Sequence, residues 1–173
     1  MNISAYIESH EGRRFSQYRD CCGKPVPECT CVIKGFRSIG VGHNLDAKGR
    51  MGIIPADRDL DTQGINNDEI DALLSRDVSD AMSEVRDAFP WFDLLDANRQ
   101  KVLIDMCFNL GIGSKEKGTG LLGFQHMLSA IKNGIVDGNF GPAADEMKNS
   151  KWYRQTGDRA KEDELIMRYG GLK

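Results

Sequence analysis

Residues 10–43 read HEGRRFSQYRDCCGKPVPECTCVIKGFRSIGVGH. The stretch opens at the end of a helix. Ile3, Tyr6, Ile7 and His10 recur on one helical face, and Gly12 follows as a left-handed stop. RFSQYRD and FRSIGVGH are short, bounded by turn residues, and read as strands of a small antiparallel sheet. Between them lie four of the five cysteines, Cys21, Cys22, Cys29 and Cys31. Glu11 sits in the last helical turn, where the negative end of the helix dipole disfavours a second negative charge. That setting suits a general acid. Asp20 ends the following strand. Two carboxylates flanking a gap are the minimal kit for glycoside hydrolysis, although on spacing alone such a pair is more often solvated surface.

Outward from this stretch the chain turns helical. Residues 46–64 are rich in Asp, Gly and Arg and read as a loop with one short strand. From Asn67 to Phe89 the apolar stripe Ile70, Leu73, Leu74, Val78, Ala81, Met82 and Val85 predicts a helix ~34 Å long, with Asn66 or Asn67 as its N-cap. Asp77 falls on that stripe, where a charge is costly unless paired. His43 ends the IGVGH strand and can reach it, so a His43–Asp77 pair is expected to hold the sheet to the helix. Further helices follow Asp96, with Val102, Leu103, Met106, Cys107 and Leu110 on one face. Others run through GTGLLGFQHMLSAIKNG to a cap at Gly134, over 141–148 with Pro142 in the first turn, and over 158–169 to Gly170–Gly171. Cys107 is expected to be a core thiol and Trp152 and Tyr153 to pack the C-terminal core. The fold class is α+β and mostly helical, a single domain over 1–173. A small N-terminal antiparallel sheet lobe (13–66) is joined by the linking helix 67–89 to a helical lobe (1–12 plus 90–173).

Composition narrows the function. The chain has 173 residues, 40% hydrophobic and 28% charged, with a net charge of −3. No basic face is implied, which argues against a nucleic-acid partner. No apolar run approaches a membrane span, and the N-terminus lacks the pattern of a signal peptide. The protein is therefore expected to accumulate in the cytosol where it is made, with its cysteines reduced there.

The blocks HEGRRFSQYRD, SIGVGH, LLSRDV, DMCFNLG, GF and SKWYRQTGDRAK, in that order, resemble the phage-type lysozymes of the T-even kind, glycoside hydrolase family 24. The resemblance runs over nearly the whole chain. It implies an endolysin that cleaves the β-1,4 bond between N-acetylmuramic acid and N-acetylglucosamine in peptidoglycan, without a cofactor. Glu11 matches the family's catalytic acid, Asp20 its second carboxylate, and Ser38 the threonine that holds the attacking water. Phe108, Asn109 and Phe124 match residues lining the glycan cleft. Arg159 matches the arginine that pairs with the catalytic glutamate. The same resemblance implies a monomer made in the host bacterial cytoplasm, released by a holin and active on glycan strands in the periplasm.

Two departures stand out. Ser at 38 keeps the hydroxyl of threonine but loses its stiff χ1. Residues 21–37 separate Asp20 from Ser38, about a dozen more than the family's spacing. For the four cysteines in this insertion, one or two disulfides across a hairpin turned at GKPVPE are preferred. Zinc is disfavoured, because adjacent Cys21 and Cys22 point opposite ways in extended chain. Four reduced thiols on a loop are the third reading. Two other functions remain in view: a catalytically weak peptidoglycan-binding accessory, and a metal-responsive module built on Cys21–Cys31.

Overall fold

The computed structural model describes residues 2–170, so the expected stop at Gly171 lies outside the described residues. Two compact units divide the chain, residues 1–79 and 80–173.

The first unit begins with helix α1 (Ile3–Glu11). The Asn2 side chain accepts the Ala5 N–H at 2.8 Å and starts it, while Gly12 at φ +71° returns its N–H to Glu8 and ends it. Strands β1 (Arg14–Arg19), β2 (Arg37–Gly40) and β3 (His43–Asn44) form an antiparallel sheet in that order. The register places Tyr18 opposite Ser38 and Ile39 opposite His43. SIGVGH is thus not one strand. Val41 and Gly42 make a turn, with Gly40 and Gly42 both at positive φ, and the chain folds back on itself. Helix α2 (Leu45–Lys48) follows, capped by the Asn44 side chain. The expected strand within 46–64 is absent among the described residues, which form turns after α2. Helix α3 (Asn67–Ala88) starts with a reciprocal cap, Asn66 Oδ1 accepting from the Glu69 N–H and Glu69 Oε2 from the Asn66 N–H, each at 2.9 Å. Tyr6, Ile7, Ile39, Ile70 and Leu73 are fully buried in this unit.

The second unit holds the end of α3 and five more helices: α4 (Ala97–Leu110), α5 (Gln125–Asp137), α6 (Gly141–Asn149), α7 (Lys151–Thr156) and α8 (Asp158–Tyr169). Asp96 caps α4 by accepting from the Asn98 and Arg99 N–H groups. Helix α6 packs on α5 and α8, and α4 packs on α8. Val102, Leu103, Met106, Met127, Ile131, Met147 and Met167 fill the core, and Cys107 is buried with them. Helix α5 does not stop at Gly134 but runs three residues further, to a left-handed cap at Gly138. Gly134 is small because of its neighbour: a Cβ there would lie 2.8 Å from the Phe140 ring. Gly134→Leu should therefore lower the unfolding free energy by about 1–3 kcal/mol through overpacking, read as a lower urea midpoint. An unchanged midpoint would show that Phe140 moves aside freely.

Candidate functional site

Glu11 is the last residue of α1, half-buried beside the β2–β3 turn. A Cβ on Gly42 would come within 3.3 Å of its carboxyl carbon and Oε2, so the glycine lets the carboxyl lie flat on the turn. Asp20 is exposed at the end of β1, its backbone N–H bonded to the Phe36 carbonyl at 3.1 Å. Its carboxyl covers Gly35, where a Cβ would overlap Oδ1 at 1.7 Å. Ser38 is buried on β2.

Tyr18, which the sequence reading leaves unassigned, stands opposite Ser38 across the ladder. Burial raises the phenol pKa, and the negative fields of Glu11 and Asp20 raise it further against the lowering by Arg14. The Arg14 guanidinium lies 5.1 Å from the Tyr18 ring centre.

His43 and Asp77 meet as a buried pair, Nδ1 to Oδ2 at 2.7 Å. His43 Nε2 donates to the Gly49 carbonyl at 2.8 Å, and Lys48 Nζ donates to Asp77 Oδ1 at 2.9 Å. Lys48 and Gly49 are the partners that the sequence reading misses.

In the second unit Arg159 forms a buried two-pronged pair with Asp105, Nε to Oδ2 and Nη2 to Oδ1, both 2.8 Å. Asp105 was findable by the argument that found Asp77: it is a carboxylate set among core residues of α4. Phe124 and Trp152 meet edge to face at 6.2 Å, and the Trp152 indole N–H donates to Asn109 Oδ1 at 3.0 Å. Phe124 and Trp152 border a groove of about 430 Å³ lined also by Leu110, Gln125, Ser150 and Gln155. Asn109 is exposed, Phe108 half-buried and Trp152 buried. The aromatic edge of Phe124 and Trp152, with Gln125 and Gln155 beside it, suits a sugar ring better than an ion.

The sequence profile described as Phage lysozyme matches residues 8–168. The chain belongs to the phage lysozyme family. It is 24% identical to the "Pre-baseplate central spike protein Gp5" of Enterobacteria phage T4, over its whole length but only 28% of that protein's. It is also 24% identical to "Probable T4-type lysozyme 2" of Dictyostelium discoideum, covering 99% of this chain and 96% of the relative. "Probable T4-type lysozyme 1" of the same organism matches with the same identity and coverage.

For a phage lysozyme the segment between Asp20 and Ser38 is long, and its cysteines do not pair as expected. All four are free thiols. Their sulfurs nevertheless converge, each within 4.8 Å of the others, with Cys21 Sγ 3.6 Å from Cys29 and 3.9 Å from Cys22. The expectation that Cys21 and Cys22 diverge fails because they lie in a turn, not a strand. The Cys22 and Gly23 N–H groups both donate to the Arg19 carbonyl, and Gly23 sits at φ +65°. The Cys31 backbone N–H beside it is the main cause holding the Cys29 thiol down to about 7. The Cys21, Cys22 and Cys29 sulfurs together push Cys31 up to about 12.

Proposed function

We propose that the chain is a muramidase that hydrolyses the β-1,4 link between N-acetylmuramic acid and N-acetylglucosamine. The observation that carries this reading is that one small sheet holds the Glu11 carboxyl against the Gly42 turn, the Asp20 carboxyl over Gly35 and Ser38 on the strand between. Family membership supports it, since the phage lysozyme family acts on peptidoglycan. Glu11 gives its carboxyl proton to the glycosidic oxygen as the C1–O bond breaks. Water, held by the Ser38 hydroxyl, adds to C1 and passes a proton to Asp20. The products are a hemiacetal and a free 4-hydroxyl. Asp20 then loses its proton to solvent and Glu11 regains one. Inversion at C1 goes with a water seated between the carboxylates, which requires about 6.5–9.5 Å between them. The groove bordered by Phe124 and Trp152 binds glycan. Two retained carboxylates favour hydrolysis over a purely binding accessory, which needs neither.

The same reading makes the protein a monomeric endolysin, made in the host cytoplasm and passed to the periplasm by a holin. No helix among the described residues is long and apolar enough to cross a membrane, which fits a need for such a partner. Incubation with purified peptidoglycan should release disaccharide muropeptides and new reducing ends at muramic acid. Release of peptides alone would overturn the glycosidase assignment. Tyr18→Phe should keep the fold and slow release roughly 2- to 10-fold, the worth of one hydrogen bond of about 0.5–1.5 kcal/mol. A rate equal to wild type would remove Tyr18 from the site.

A further inference from the structure

The loop between Asp20 and Ser38 lacks the means by which loops of its length usually hold a shape. Its regular structure amounts to one turn of 3-10 helix at Val26–Glu28 and an isolated bridge from Tyr18 to Pro25. Its large apolar side chains face water: Val32, Ile33 and Phe36 are 101%, 86% and 58% exposed. Across residues 21–36 the one buried residue is Cys29, and what surrounds it is sulfur. Ordering a backbone costs about 1–2 kcal/mol per residue. Backbone bonds at the base of the loop, Asp20 N–H to Phe36 and Arg19 N–H to Lys24, leave its outer limb unaccounted for.

We propose that Cys21, Cys22, Cys29 and Cys31 hold one zinc ion as four thiolates, a clamp that closes this loop on itself. Four sulfurs around tetrahedral zinc, at about 2.3 Å from the metal, lie about 3.8 Å from one another. The sulfurs here stand at 3.6 and 3.9 Å for the pairs Cys21–Cys29 and Cys21–Cys22, and none exceeds 4.8 Å. Small rotations of the side chains complete the shell. The turn at Gly23 brings neighbouring cysteines to one side, and the single residue between Cys29 and Cys31 does the same on the return limb. Four thiolates this close repel one another unless a cation sits among them. An all-sulfur, four-coordinate set selects zinc or iron over the hard cations. Zinc, which has no redox chemistry of its own, suits a clamp.

Metal binding does not depend on the muramidase reading. One consequence does rest on it: the return limb carries Gly35 beneath the Asp20 carboxyl, so the clamp positions the second carboxylate. The full-length protein, reduced and reconstituted with zinc sulfate before exhaustive buffer exchange, should carry one zinc per chain. Cobalt in its place should show thiolate charge-transfer and tetrahedral d–d bands. Cys29→Ser should fall below about a tenth of an equivalent, whereas Cys107→Ser keeps the full load. Trypsin cleavage after Lys34 should accelerate at least about tenfold when a chelator strips the metal. Wild-type protein that retains no zinc under these conditions overturns the proposal, as does iron taken in preference to zinc. So do disulfides that persist under the same reduction, or a Cys29→Ser variant that loads normally. Cell-clearing activity enters none of these outcomes, so failure of the metal site and failure of the enzymatic reading are read separately.

Discussion

Glu11→Gln should leave a folded protein that clears outer-membrane-permeabilised Gram-negative cells on the order of 100- to 10,000-fold more slowly than wild type. The amide keeps the shape of the carboxyl but carries no acidic proton. The site around it is built for shape as much as for charge, with Gly42 contributing no side chain and a hypothetical Cβ there only 3.3 Å from the carboxyl carbon. The substitution therefore changes chemistry with little change in packing, and unfolding curves of the two proteins should superpose. Asp20→Asn should also slow clearing, since an amide cannot take the water's proton. If Glu11→Gln and wild type clear cells equally, Glu11 is not the acid. If wild type binds glycan and clears nothing, the accessory reading replaces the enzymatic one.

The parts of this architecture that sequence could reveal are those governed by local rules. The stripe of α3, the Asn66 and Asp96 caps and the Gly12 stop each depend on residues a few positions apart. Elements decided by contacts distant in sequence, or too short for a period, were not legible. The six residues of α7 carry no periodicity, and the room at Gly134 depends on the Phe140 ring beyond the helix end. SIGVGH alternates like a strand, yet two glycines at positive φ fold it into a turn. In the site, Glu11 and Asp20 are readable from the helix end and the strand after it, Ser38 only from the resemblance, and Tyr18 only from the register that sets it opposite Ser38. The cysteine cluster is not legible either, because adjacent Cys21 and Cys22 diverge in extended chain and converge only where the Arg19 carbonyl holds the segment in a turn.

The largest effect on stability should come from Asp77→Ala, which leaves the buried His43 ring facing nothing at Nδ1. Removing one partner of a buried pair costs about 3–5 kcal/mol. Lys48 remains half in water and loses less. The pair also makes stability depend on pH. His43 Nε2 faces a carbonyl, which can only accept, and Nδ1 faces a carboxylate. Both nitrogens are thus satisfied as donors only in the imidazolium form. Burial pulls the imidazole pKa down, as does the Lys48 charge more weakly. The Asp77 hydrogen bond and charge and the Gly49 carbonyl outweigh them and raise it above 6.5. A folded-state pKa raised above the unfolded one stabilises fully below about 6.5 and is lost as pH rises through the raised value. In wild type the unfolding free energy should therefore decline above about pH 6.5, with a slope of at most about 1.4 kcal/mol per pH unit from this one proton. His43→Gln or Asp77→Ala should remove that slope while leaving whatever other groups contribute. A wild-type profile that is flat or rising through this window, with Asp77→Ala parallel to it, would mean that the ring is neutral in the fold and that the pair is held by shape alone.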